Sequence, residues 1–182
     1  MTFMKKTGIL IALLLVITIT VSACTNLDED HHSSKESKET RWMNTNLTDV
    51  QSGKTYRLSD FKGKKVLMET FAVWCVNCKE QQDEIKKFHE EFGNEIISVS
   101  LNSDPNENIQ EIKDHITKNN YTWYYSIAPK QFIKNLMDEF GFVIINAPQA
   151  PIVLICEDGS YSLLPSGLKT AEVLKDEVRE GC

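Results

Sequence analysis

From residue 44 onward the apolar positions switch between two spacings, unbroken runs of strand length and stripes that repeat every three or four residues. Their alternation predicts an α/β protein, not a bundle or a sandwich. The run KVLMETF at 65–71 predicts a first core strand, and Ile85, Phe88 and Phe92 predict an amphipathic helix behind it that stops at Gly93. EIISVSL at 95–101 predicts the next strand. Asp104, Pro105 and Glu107 supply an N-cap, a first-turn proline and an acid at the third position, so a helix is expected to open there, with Ile109, Ile112 and Ile116 as its buried stripe. Residues 121–126 predict a short strand and 129–140 a helix, with Phe132, Ile133, Leu136, Met137 and Phe140 inward and Gly141 at its end. PIVLIC at 151–156 and the run at 161–164 flank Glu157-Asp158-Gly159-Ser160, which reads as a hairpin, and 170–180 closes the chain as a helix. A hairpin-like stretch around Gly53 and Tyr56 precedes the series, and no internal repeat is visible.

The first 43 residues follow neither spacing. Lys5 and Lys6 precede an uncharged run at 7–23 whose apolar part, 9–21, ends at Val21-Ser22-Ala23-Cys24, so residues 1–23 read as a signal peptide. As a helix that apolar part would reach only about 20 Å, short of the roughly 30 Å hydrocarbon core. The Val-Ser-Ala-Cys ending resembles a lipoprotein signal, which would make Cys24 the lipid-bearing N-terminus; an uncleaved anchor reaching Leu27 is the alternative. Either way the domain is expected outside the cytoplasm. Residues 24–43 are polar and charged with few apolar positions, and are expected to form a flexible tether carrying His31 and His32 without a role for them. The expected domain is then 44–182.

The chain has 182 residues, enough for one core, and its 20 Lys and Arg against 26 Asp and Glu give a net charge of −6. With no basic run in the interior, a nucleic-acid surface is excluded as a function class.

The chemistry lies at Trp74-Cys75-Val76-Asn77-Cys78-Lys79, where the first strand meets its helix. Side chains at i and i+3 have Cβ atoms about 5 to 6 Å apart, within reach of a disulfide after modest tightening of the first turn. Cys75 would stand at the helix N-terminus, where unpaired N–H groups favour negative sulfur and make it the nucleophile; Cys78, one turn in, would be the shielded resolving thiol. A zinc site needs a second ligand pair, but Cys156 and Cys182 are far apart and His89 and His115 fall on different helices. Cys156 sits in an apolar strand and is expected to pack as a small hydrophobe, with Cys182 a mobile exposed thiol; a Cys156 to Cys182 bond is the other reading. Trp123, Tyr124 and Tyr125 form either a docking surface or part of the core.

Over 47–180 these features resemble the thioredoxin superfamily, and within it the membrane-anchored TlpA/ResA-type thiol-disulfide oxidoreductases. The lead-in at 49–64 is similar to the hairpin before that branch's first core strand. The resemblance implies a thioredoxin-like fold, a central mixed β-sheet flanked by helices with an N-terminal β-hairpin extension. It makes Cys75 and Cys78 the redox-active pair, with no further cofactor. Glu69, six residues before Cys75, falls where thioredoxins keep a buried acid, which would serve as general base toward Cys78. Pro151 matches the family's cis-proline, with Pro148 as a rival, and Ala150 would offer its backbone to an extended substrate segment beside Trp74, Val76 and Asn77.

The implied activity is disulfide exchange with protein substrates on the extracytoplasmic face of the cytoplasmic membrane, for example as a reductant in cytochrome c maturation. A membrane thiol donor or acceptor would serve as partner. A disulfide-donating oxidase on the same fold and a copper-delivery module using the same thiolates are the alternatives, though no His follows His115 to complete a copper site. Two departures stand out. Asp83 replaces the proline usual five residues after the second cysteine, and Gln81 replaces a glutamate common in the branch. The dipeptide Val76-Asn77 gives no clue to redox poise, which leaves about 150 mV, or roughly 7 kcal/mol, undetermined.

Overall fold

The computed structural model describes residues 38–93 and 95–182. The signal peptide, Cys24, and the histidines at 31 and 32 therefore lie outside the described residues. Among the described residues no helix is long and apolar enough to cross a membrane.

A two-stranded hairpin, β1 (Leu47–Thr48) with β2 (Thr55–Tyr56), leads into a five-stranded sheet. Its strands are β3 (Val66–Phe71), β4 (Ile97–Asn102), β5 (Tyr124–Ile127), β6 (Ile152–Ile155) and β7 (Tyr161–Leu163), in the spatial order β5-β4-β3-β6-β7. β4 runs parallel to both β3 and β5, and β6 runs antiparallel to both β3 and β7, so the sheet is mixed. The helices are α1 (Val76–Phe92), α2 (Ile109–Asn119), α3 (Lys130–Phe140) and α4 (Ala171–Glu180). The thioredoxin-like α/β arrangement read from the sequence is the one observed.

Every residue of β3 is buried, as a central strand covered on both faces requires. Its alternation sorts the core into two. Leu67 and Phe71 pack with Ile85 and Phe88 of α1, Ile112 and Ile116 of α2, and Leu174 and Val178 of α4. Val66 and Met68 join Phe132 and Leu136 of α3 on the other face. Glu69 has the same parity as Leu67 and Phe71, so it points to the α1 side, and its register partners are Ser100 on β4 and Ile152 on β6.

Four local expectations are corrected. The domain begins before residue 44: Lys38–Asn44 forms a 3-10 helix, and Trp42 is buried with its ring edge-on to Phe132, Phe140 and Tyr161. A tether cannot hold a fully packed indole, and burying one favours the folded side by a few kcal/mol. Helix α2 opens at Asn108, whose side chain accepts the N–H groups of Gln110 and Glu111 while Glu111 caps in return; Asp104 and Glu107 lie before it, engaged elsewhere. β5 starts at Tyr124, with Tyr121 and Trp123 already in the core beside Tyr125. This aromatic run therefore packs inward, Tyr124 partly so.

The fourth correction is at the C-terminus. Cys156 and Cys182 form a disulfide, with Cα atoms 5.5 Å apart, so neither is a free thiol. α4 ends against β6, and Gly181 makes the approach possible: a Cβ there would stand 2.8 Å from Leu154 Cδ2 and 2.7 Å from the Glu177 carbonyl.

Candidate active site around the cysteine pair

The polypeptide leaves β3 through Ala72 and Val73 and enters α1 with Cys75 as its N-cap, in extended conformation at φ −80° and ψ 112°. The cap is a sulfur: Cys75 Sγ accepts the N–H of Cys78 at 3.2 Å. Cys78 is one turn further, and its thiol donates to the carbonyl of Ala147 at 3.2 Å. Both thiols are free, and both residues are buried, Cys75 at 3% exposure and Cys78 at 1%. Their neighbours are the opposite. Trp74 is 62% exposed and Val76 68%, two large apolar side chains on the surface either side of Cys75 in the chain. Burial pushes the Cys78 thiol well above the ordinary thiol range, and the hydrogen bond with Cys75 and the charge of Glu69 push in the same direction.

Glu69 is 2% exposed. Loss of water raises its carboxyl from 4.5 to about 7, against the opposing pull of two hydrogen bonds and of Lys169 acting through space. Both donors end on Oε1: Ser100 Oγ at 2.5 Å and Gln82 Nε2 at 2.8 Å. Each is itself backed. Trp123 Nε1 donates to Ser100 Oγ at 2.8 Å, and His115 Nε2 meets Gln82 Oε1 at 2.7 Å. Asn119 Nδ2 approaches His115 Nδ1, so the neutral ring carries its proton on Nε2 and donates toward Gln82.

The loop opposite the cysteines departs from expectation. There is no cis peptide among the described residues, so the bond to Pro151 is trans. The turn into β6 is made instead by Ala150, which adopts left-handed φ 43° and ψ 58°, a conformation costly for a residue with a Cβ. Ala150 does not present a free backbone either. Its N–H donates to the Ala147 carbonyl, and its carbonyl receives Lys169 Nζ at 3.4 Å. Pro148 O accepts Asn77 Nδ2 at 2.9 Å, and Gln149 O accepts the N–H of Gly167 at 2.8 Å. With Ala147 O taken by Cys78 and Ala150, all four carbonyls of this loop are engaged from within.

Residues 35–154 match the sequence profile that defines Redoxin. The chain belongs to the Redoxin family. It is 25% identical to the thiol-disulfide oxidoreductase ResA of Bacillus cereus over 185 residues, covering 97% of this chain and 98% of that one. It is 35% identical to the thioredoxin-like protein YneN of Bacillus subtilis over 51 residues, 28% of this chain and 30% of that relative. Among solved structures, StoA from Bacillus subtilis superposes with a TM-score of 0.56 at 24% identity, over 71% of this chain and 92% of the other, which shows the shared fold. Family membership and the paired thiols make this Redoxin a thioredoxin-like thiol-disulfide oxidoreductase.

The two departures from the family pattern have structural uses. Asp83, half-exposed, accepts Tyr121 Oη at 2.8 Å and pairs with Lys79 at 2.7 Å, while α1 runs uninterrupted through that position. Gln81 is fully buried, and its amide grips the backbone of Lys169 twice, receiving the N–H at 2.8 Å and donating to the carbonyl at 3.0 Å.

Sequence reasoning missed a brace before the cysteines. Glu107 accepts the N–H of Val73 at 2.9 Å, the N–H of Trp74 at 3.2 Å and the Asn102 amide, while Asp104 Oδ2 receives Trp74 Nε1 at 2.6 Å. These two acids fix the strand-to-helix turn that aims Cys75 and hold the Trp74 ring. Replacing Glu107 with alanine leaves two N–H groups of that turn without their acceptor. It is expected to cost about 1 to 3 kcal/mol of stability, read from urea unfolding, and to slow thiol reactivity at Cys75. An unchanged midpoint would remove the brace from the account.

Proposed function

We propose that this protein reduces disulfides in protein substrates outside the cytoplasm, held at the membrane by lipid on Cys24, with cytochrome c maturation as one setting that suits it. The observation that carries the reading is a pair of free thiols one helical turn apart, at the junction of β3 and α1, beside a buried carboxyl held near neutrality. Cys75 attacks one sulfur of the client disulfide; the other client sulfur leaves as thiolate and takes a proton, and a mixed disulfide joins Cys75 to the client. Glu69 removes the Cys78 proton, and the new thiolate attacks Cys75 Sγ. The Cys75–Cys78 disulfide forms, the second client sulfur departs, and two electrons have passed to the client. Return to the dithiol takes two electrons from a membrane thiol donor.

Direction is tested by equilibrating the Cys75–Cys78 couple with glutathione. A midpoint near −270 mV supports the reductant, and one near −120 mV makes the protein a disulfide donor instead. Stoichiometric Cu(I) binding that survives competition, with no insulin-reducing activity, would replace both with metal delivery.

Glu69 has its own test. As a base it works ionised, so resolution of the mixed disulfide should accelerate as pH rises through about 7 and level off above it. Glu69→Gln is expected to slow resolution about 100-fold at pH 8 and to abolish that inflection. Stopped-flow rates indistinguishable from wild type would take Glu69 out of the mechanism.

A further inference from the structure

Lysines are seldom buried without a carboxylate partner, yet Lys169 is 4% exposed. Its Nζ donates to two carbonyls, Gly167 O at 2.6 Å and Ala150 O at 3.4 Å, and among the described residues no ion pair engages it. Its backbone is fastened to α1 by Gln81, three residues after Cys78. Its anchor Ala150 lies two residues before Ile152, which stands directly across from Glu69 in the sheet. A cation has thus been bolted into the interior on the same side of the sheet as the resolving thiol and the buried acid.

We propose that Lys169 is a positioning residue: its ammonium holds the 147–150 loop against the cysteine pair, and its buried charge on that side of the sheet favours the ionised form of Glu69. The proposal rests on the reading of Glu69 given above. An ammonium in a poorly screened interior favours the carboxylate over the carboxylic acid, and it does so without the direct ion pair that would lock Glu69 permanently ionised. The influence is mutual: burial depresses the Lys169 ammonium, and Glu177 and, less strongly, Glu69 pull it back up.

The groups facing Glu69 make Lys169 distinctive. Gln82 of α1 and Ser100 of β4 are neutral donors, and His115 of α2 reaches it only through Gln82. Burial lowers the His115 pKa below the ordinary imidazole value, which keeps the ring neutral. Cys78 of α1, Tyr125 of β5 and Tyr121 just before β5 are protonated groups, raised chiefly by burial and further by the Glu69 charge. Among the described residues Lys169 is the cation that favours the ionised Glu69, adding to the larger pull of the Ser100 and Gln82 hydrogen bonds.

The test uses two variants of the full chain in detergent. Lys169→Met removes charge and hydrogen bonds; Lys169→Gln removes the charge but keeps an N–H donor for the carbonyls. The buried carboxyl is followed by its infrared C=O stretch, assigned by its loss in Glu69→Gln. Both lysine variants are expected to bind the Glu69 proton about threefold more tightly, moving the midpoint up by about half a pH unit. A wild-type midpoint in a folded Lys169→Met overturns the proposal, and so does a wild-type midpoint in Lys169→Gln, which would leave only hydrogen bonding. Should Lys169→Met fail to fold, Lys169→Gln alone decides. The midpoint is read without reference to catalysis. Hence a Glu69→Gln enzyme that resolves normally would defeat the base assignment and leave this result intact, whereas an unmoved midpoint would defeat the lysine alone.

Discussion

Replacing Cys78 with serine should stop turnover, by roughly 1,000-fold or more, while the first chemical step proceeds. A serine hydroxyl can keep the hydrogen bond to the Ala147 carbonyl, so the turn of α1 is undisturbed. Its oxygen, however, does not displace sulfur from sulfur. The covalent adduct between Cys75 and a client or a model disulfide is therefore expected to accumulate to one equivalent, visible as a shifted band on a non-reducing gel and by mass. Cys75→Ser should form no adduct at all. If the Cys78 variant turned over, or if the adduct formed on Cys78 in the Cys75 variant, the assignment of attacker and resolver would be reversed or void.

The second large effect concerns the other cysteine pair. The Cys156–Cys182 bond closes a loop with a sequence separation of 26, and loop-closure entropy gives such a bond about 3.5 kcal/mol. Cys182→Ser is expected to lose stability of that order in urea unfolding. Its redox midpoint at Cys75 and Cys78 should not change. The reason is position: β6 runs antiparallel to β3, and Ile155 pairs with Val66, so the bond lies past the end of the sheet opposite the one where β3 delivers the chain to α1. A loss of less than about 1 kcal/mol would show that α4 is held without the bond, by the apolar contacts of Leu174 and Val178 and by its hydrogen bonds to Glu84 and Lys65. A moved midpoint would mean that the two ends of the sheet are coupled.

The parts of this molecule that sequence discloses are those whose causes are local. The run at 65–71 and the stripe of Ile85 and Phe88 sit either side of Trp74-Cys75-Val76-Asn77-Cys78, so strand, motif and helix are readable in one window. Glu69 was legible because a carboxylate inside an apolar run has few places to point. Asp104 misled because two capping signals compete four residues apart, Asp104 with Glu107 and Asn108 with Glu111. The second pair caps α2 because the first serves Val73 and Trp74, at separations of 30 to 34 residues that no window spans. Gln81 and Lys169 are 88 residues apart, and Gln82 and His115 are 33. Each looks like an ordinary surface residue until the fold brings its partner. Cys156 resembled a core hydrophobe for the same reason; the one local hint was Gly181, the small residue that lets Cys182 come close.

The loop before Pro151 carries a consequence for how clients are held. A peptide arriving along Ala150 meets oxygens already occupied by Asn77, Cys78, Gly167 and Lys169. Main-chain bonding to a visitor must then share an oxygen that already has a donor, or displace that donor. Under the proposed function, attraction would fall mostly to the exposed faces of Trp74 and Val76, which offer apolar area without directional bonds. On that reading such a surface would favour brief encounters and leave sulfur chemistry, not residence time, to decide which of them count.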